Sequence, residues 1–232
     1  MPDETTAAPA IALSELRFRW PGAAADTLRI DDFRVAQGET VFVRGPSGCG
    51  KSTLLSLLAG VLLADAGELA LQGLSWRALS ASQRDRHRAD HLGYVFQQFN
   101  LLPYLSVLDN VRLPCRFSAR RAARTDPRGA EALLERTGLA ARLWRKPAAE
   151  LSVGQQQRVA AARALIGAPE VVIADEPTSA LDEELRASFM DLLLGACATS
   201  RSALVFVSHD ARLATRFDRV IDLPAINRAD QA

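Results

Sequence analysis

The chain is expected to fold as an α/β protein around a buried sheet of parallel type, and two stretches of sequence carry that expectation. The first is Gly45-Pro46-Ser47-Gly48-Cys49-Gly50-Lys51-Ser52-Thr53, which satisfies G-x-x-x-x-G-K-[ST]. It lies between the apolar run Val41-Phe42-Val43 and a helical run over 54–63, the strand, loop and helix that a phosphate-binding loop requires. With glycine near 7% of residues, a chance match in a chain of this length is on the order of one percent. The second is Val171-Val172-Ile173-Ala174, too apolar and β-branched for an edge strand, which ends in the adjacent carboxylates Asp175 and Glu176.

The elements follow in order. Residues 1–10 carry two acids, no basic cluster and no apolar core, so they read as a flexible tail and not as a signal peptide. A single domain is expected over 11–225. Strands near 11–18, 28–36 and 40–43 open it, the phosphate-loop helix comes next, and a short strand near 68–71 follows. Residues from about 99 to 169 are expected to form an inserted helical lobe, because 131–137 and 159–165 have helical composition and 110–113 leads into polar sequence. Arg116, Arg120, Arg121, Arg124 and Arg128 cluster there and read as a solvated face in preference to a contact with lipid headgroups. Strands near 171–174, 203–208 and 220–223 complete the sheet. No internal repeat or low-complexity tract is present.

Composition agrees and excludes several classes. With 232 residues and 48% apolar content, the chain can bury one substantial core or a core plus a small lobe. A net charge of +1 argues against a dedicated nucleic-acid surface. Cys49, Cys115 and Cys197 are odd in number and widely spaced, so neither a disulfide framework nor a zinc site is expected, and a reducing cytoplasm is the default. The longest apolar stretch, 54–64, is about half of the roughly 20 residues that span a bilayer. Membrane work therefore calls for a separate partner chain.

The residue types point to phosphate chemistry. Glycines let backbone N–H groups curl around phosphate oxygens, the positive end of the next helix favours a polyanion, and Lys51 adds a full charge. Ser52 offers a hydroxyl to Mg²⁺, an ion that prefers octahedral oxygen ligands and keeps several waters. Asp175, at the strand mouth where ligands of α/β sheets sit, is expected to hold Mg²⁺ through its hydration shell, and Glu176 is the candidate base for an attacking water.

Downstream the chain reads Leu151-Ser152-Val153-Gly154-Gln155, then Ser179-Ala180-Leu181-Asp182, then a histidine, His209, after the apolar run 203–208. In this order the motifs resemble the nucleotide-binding subunits of ATP-binding-cassette (ABC) transporters, over about residues 11 to 223. The resemblance implies a phosphate-loop ATPase core with a mixed sheet, a small antiparallel β subdomain and the inserted helical lobe. It implies that Trp20 stacks on adenine, that residues Gly45 to Thr53 wrap the phosphates, and that Gln97 touches Mg²⁺ and the lytic water. It further implies that Ser152, Gly154 and Gln155 reach the γ-phosphate held by a second subunit, that Asp182 joins the two sites, and that His209 contacts the γ-phosphate. Val153 stands where the family has its first signature glycine. A β-branched residue restricts φ and ψ there, yet activity is expected to survive.

ATP and Mg²⁺ are thus the implied cofactors. The implied partners are a second ATPase subunit, as a homodimer, and an integral-membrane permease of FtsX/MacB-like type, with no nucleic acid. The implied location is peripheral, on the cytoplasmic face of the inner membrane. A single cassette with neither a long coiled-coil insertion nor an appended barrel does not resemble ribosome-acting, break-repair or carbohydrate-importer relatives. The stretch LGYVFQQFNLLPYLSVLDNVRLP most resembles the lipoprotein-release and macrolide-export (LolD/MacB-like) group. QQQRVA and SALD lean towards polar amino-acid importers, and a non-transport coupling ATPase of FtsE-like type would use the same chemistry.

Overall fold

The computed structural model describes residues 8–179 and 183–229. Residues 1–7 of the expected tail, and Asp182, lie outside them. The mixture of strand directions is divided between two sheets. The first is antiparallel, in the order β2-β1-β4-β5, from β1 (Ile11–Phe18), β2 (Leu28–Val35), β4 (Ala66–Leu71) and β5 (Leu74–Ser75). The second is parallel throughout, in the order β6-β7-β8-β3-β9, from β3 (Thr40–Arg44), β6 (Leu92–Val95), β7 (Val171–Asp175), β8 (Ala203–Val207) and β9 (Arg219–Asp222).

Period-two alternation explains why the parallel strands are apolar on both faces. Val41, Val43, Val171, Ile173, Val205 and Val207 face a core shared with the antiparallel sheet and with helix α1 (Lys51–Leu58). Phe42, Val172, Ala174, Leu204 and Phe206 face the opposite core, against α6 (Val153–Leu165) and α7 (Glu183–Ser200). A third core, around Val107, Val111, Leu134 and Val159, closes the helical lobe of α3 (Val107–Phe117), α4 (Ala119–Ala123), α5 (Gly129–Arg136) and α6.

Three departures from the sequence reading have physical causes. The helix after the phosphate loop stops at Leu58, not at residue 63, because the amides of Val61 and Leu62 both turn back to the Ser56 carbonyl, at 2.9 and 3.1 Å. Helix α2 (Ala81–His91) and β6 were not expected. The helix is polar on every face and shows no apolar period, though its capping box of Ser80 and Gln83 is a readable start signal. The third concerns the arginine cluster. Arg121 is not on a solvated face: it is 2% exposed, and its guanidinium donates to the carbonyls of Ile166 (2.7 Å), Ala164 (2.7 Å) and Leu92 (3.1 Å). Its neighbours Arg120 and Arg124 bind Glu170, at 2.7 and 2.9 Å, while Arg128 is exposed. Arg121, with Arg120 and Arg124, fastens the helical lobe to the core, while Arg116 and Arg128 stay in solvent as expected.

Backbones come close where the lobe meets β6. At Gly93 of β6 an added Cβ would lie 2.2 Å from the Ala164 carbonyl of α6, so only glycine permits this packing. A last short helix, α8 (Leu223–Ile226), follows β9 directly, so Leu223 belongs to it and not to the strand. Among the described residues no helix is long and apolar enough to cross a membrane.

Candidate functional site: a phosphate loop at the mouth of the parallel sheet

β6, β7, β8 and β3 are neighbours and run the same way, so the segments beyond their C-terminal ends share one edge of the sheet. Those segments carry Gln97, the pair Asp175 and Glu176, His209, and the phosphate loop. Sheet topology thus gathers residues that lie more than a hundred positions apart in sequence.

The loop enters α1 through Gly50, the N-cap, at φ 98° and ψ 11°, which a residue with a side chain adopts only under strain. A Cβ at Gly50 would also meet Leu28 Cδ2 at 2.8 Å. The helix start has no side-chain cap, so its first amides keep their partial positive charge for an outside acceptor. Buried Lys51 donates from Nζ to the carbonyls of Gly45 (2.9 Å) and Pro46 (2.8 Å), which poises the ammonium over its own loop. Pro46, Ser47 and Gly48 are exposed, and Cys49 and Thr53 are half-buried.

The Ser52 hydroxyl lies near enough to the Asp175 carboxylate to favour its charged form. Burial pushes the Asp175 carboxyl above its ordinary value and the Glu176 charge adds to this, while the Ser52 hydroxyl and Lys51 oppose it. Burial, and after it Asp175, likewise push the Tyr94 hydroxyl well above its ordinary range. Two adjacent carboxylates with a hydroxyl form an all-oxygen donor set, which fits a hard divalent cation.

Glu176 leaves β7 in the left-handed region, at φ 43°, with its amide donating to Val207 of β8 at 2.9 Å. Backbone of this kind costs about 1–3 kcal/mol and concentrates at functional sites. Its Oε2 lies 3.4 Å from Nδ1 of His209, whose ring is exposed at the sheet edge. Next to the ring, Asp210 pairs with Arg186 at 2.8 Å and with Arg212 at 2.9 Å.

Of the remaining expected residues, Gln97 shares this edge of the sheet and the others lie on different elements. Gln97 is exposed in the turn after β6. Trp20 is exposed just beyond β1 and stands edge-to-face on Phe18, ring centres 5.2 Å apart. Ser152 is the N-cap of α6, and its hydroxyl and the Gln155 side chain bond each other's backbone amides in a capping box. Val153 occupies the first helical position and is 51% exposed, with no positive φ, so the backbone here has no need of glycine. Gly154 follows it in the first turn of the helix. Two buried polar side chains of α6 had no role assigned: Gln157, within the QQQRVA stretch, and Arg163, whose only sequence signal is its place in an otherwise apolar helix face.

Comparison with known proteins agrees with this geometry. The family described as ABC transporter matches residues 28–179. The chain belongs to the ABC transporter family. An uncharacterized ABC transporter ATP-binding protein, YbbA of Escherichia coli (strain K12), is 44% identical to the cassette over 189 residues, 82% of each chain. The lipoprotein-releasing system ATP-binding protein LolD of Xanthomonas oryzae pv. oryzae (strain MAFF 311018) is 44% identical over 192 residues, 83% of this chain and 78% of that one. LolD of Legionella pneumophila (strain Lens) is 40% identical over 201 residues, 87% and 88%. The ATP-binding cassette MJ0796, in a dimeric post-hydrolysis state bound to ADP and Pi, superposes with a TM-score of 0.80 at 32% identity over 91% of this chain and 93% of that chain. The present cassette is an ATP-binding, ATP-hydrolysing subunit of this family.

Proposed function

We propose that the cassette is the motor of a transporter of the lipoprotein-release or mechanotransmission type. In this reading it works as a homodimer with Mg²⁺ and ATP, peripherally on the cytoplasmic face of the inner membrane, and drives a separate FtsX/MacB-like permease. The observation that carries the chemistry is the single sheet mouth where Lys51, Ser52, Asp175, Glu176 and His209 meet. The names of the LolD relatives support the choice of subgroup.

Each residue then has a task. Trp20 stacks on adenine, and the amides of residues 45–53 with Lys51 bind the phosphates. Lys51 exchanges its two carbonyl acceptors for phosphate oxygens, a stronger charge-assisted contact. Ser52 and Asp175, with Gln97 beside them, would hold Mg²⁺, which when bound neutralises charge on the phosphate oxygens. Glu176 takes a proton from water as the water oxygen bonds the γ-phosphorus, and the bridging oxygen leaves in line with ADP. His209 keeps Glu176 and the γ-phosphate in register. The partner subunit's Ser152, Gly154 and Gln155 complete the site, and Asp182 links the two sites, so ATP binding becomes dimer closure and hydrolysis releases it.

In this reading the permease docks in a groove of about 340 Å³ between α2, β6 and α3, where Tyr94, Leu113, Pro114 and Phe117 lie with the charged Asp85 and Arg88. Phe117 is largely exposed there, as an apolar anchor awaiting a partner would be. The test is to capture tagged Glu176→Gln protein from detergent-solubilised membranes with ATP present. Recovery of a four-span permease with a large extracytoplasmic domain supports the proposal. A five- or six-span permease supports an importer instead, and recovery of no membrane protein refutes a transport role.

A further inference from the structure

Helix α6 ties down both loops that the proposed hydrolysis depends on. Gln157, 1% exposed, donates from Nε2 to the carbonyl of Pro177 at 2.5 Å. Pro177 directly follows Glu176 and its left-handed backbone. Arg163, 8% exposed, donates from Nη1 to the carbonyl of Asn100 (2.6 Å) and from Nη2 to that of Phe99 (2.5 Å). Those two residues are themselves successive and left-handed, at φ 58° and 48°, and they close the turn that presents Gln97. Burial lowers the guanidinium to about 10, so it stays charged at neutral pH and its two bonds are charge-assisted.

The same helix begins at the Ser152 cap and spans 13 residues. At about 1.5 Å of rise per residue, the two ties stand roughly 9 Å apart along one hydrogen-bonded rod. A shift of its signature end is therefore felt at the Glu176 loop and the Gln97 loop together. We propose that Gln157 and Arg163 are positioning residues, through which the place of the signature helix sets the geometry of the two hydrolytic loops. The inference rests on the reading that Glu176 and Gln97 serve hydrolysis. The acceptors of both residues lie outside the phosphate loop, α1 and Trp20, the parts assigned to ATP capture within the same subunit.

Gln157→Met keeps the length of the side chain and removes its donor. Arg163→Lys keeps the charge, but a single ammonium cannot reproduce the planar fork that spans two carbonyls. Steady-state ATP hydrolysis by the full chain with Mg²⁺ is measured for both variants, for the parent and for Glu176→Gln, with the folded fraction followed by thermal melting. Misplacing catalytic groups by about 1 Å costs up to 100-fold, so each variant is expected to lose about tenfold in kcat, with KM for ATP within about twofold. Parent-like kcat in both variants overturns the proposal. A loss that tracks the folded fraction, or one carried by KM, also overturns it, because the ties would then be structural only. Parent-like hydrolysis by Glu176→Gln refutes instead the underlying assignment of the site, and the inference falls with it.

Discussion

Replacing Arg121 by methionine tests how the helical lobe is fastened to the ATPase core. The guanidinium is the hub: Nε reaches Ile166, Nη1 reaches Leu92, and Nη2 reaches Ala164, at 2.7, 3.1 and 2.7 Å. These are carbonyls at the end of α6, just after it, and at the start of β6. Methionine fills much of the volume but leaves three carbonyls without their donors, at about 1–3 kcal/mol for each one that stays unsatisfied. Relief from burying a charge offsets part of this, so the net cost is below the sum for three orphaned carbonyls. A loss of about 3 kcal/mol is therefore expected, which at 2–4 °C per kcal/mol for a chain of this size lowers Tm by about 6–12 °C. Circular dichroism melts of the ligand-free chain measure it, with Arg121→Lys expected to fall between the two. A methionine variant melting within about 2 °C of the parent would refute the idea that these bonds hold the lobe in place.

Other perturbations probe the site and its frame. Lys51→Ala should lose ATP affinity itself, read by titration with a fluorescent ATP analogue, and unchanged binding would contradict the phosphate-loop assignment. Gly50→Ala forces a Cβ into the left-handed cap and against Leu28, so it should destabilise the chain by about 1–3 kcal/mol in denaturant unfolding. For Glu170, burial raises the carboxyl, but hydrogen bonds from His91, Arg120 and Arg124 outweigh this and hold it well below its ordinary value near 4.5. A depressed carboxyl stabilises fully above that value and loses its contribution as pH falls through the folded value. Glu170→Gln should therefore be less stable than the parent at pH 7, with the gap closing as pH falls below about 4, whereas a gap independent of pH would contradict the network. Val153→Gly should change Tm by no more than about 2 °C, because Val153 is exposed at the first turn of α6.

Much of the architecture was legible in the chain itself. Unbroken apolar runs at β7 and β8 announce strands buried on both faces, and a glycine-rich loop between such a strand and a helix leaves little choice of context. The phosphate-loop residues, the paired carboxylates and the histidine after β8 could be named because local order and residue type carry their chemistry. Helix α2 escaped because a helix polar all round leaves no apolar period, and β6 because four residues are too few for one. Arg121, Gln157 and Arg163 escaped for a different reason: their acceptors are backbone carbonyls 20 to 64 positions away, and any residue supplies a carbonyl.

Sequence alone therefore determined the α/β class, the family resemblance and which residues are the candidates for phosphate and acid chemistry, since these are properties of local pattern. Only the tertiary structure decided that a group of arginines expected in solvent is partly a buried fastening, and that one helix grips both the Glu176 loop and the Gln97 loop. Which buried cation meets which carbonyl is fixed by how helices and strands pack, and no pattern along the chain encodes it.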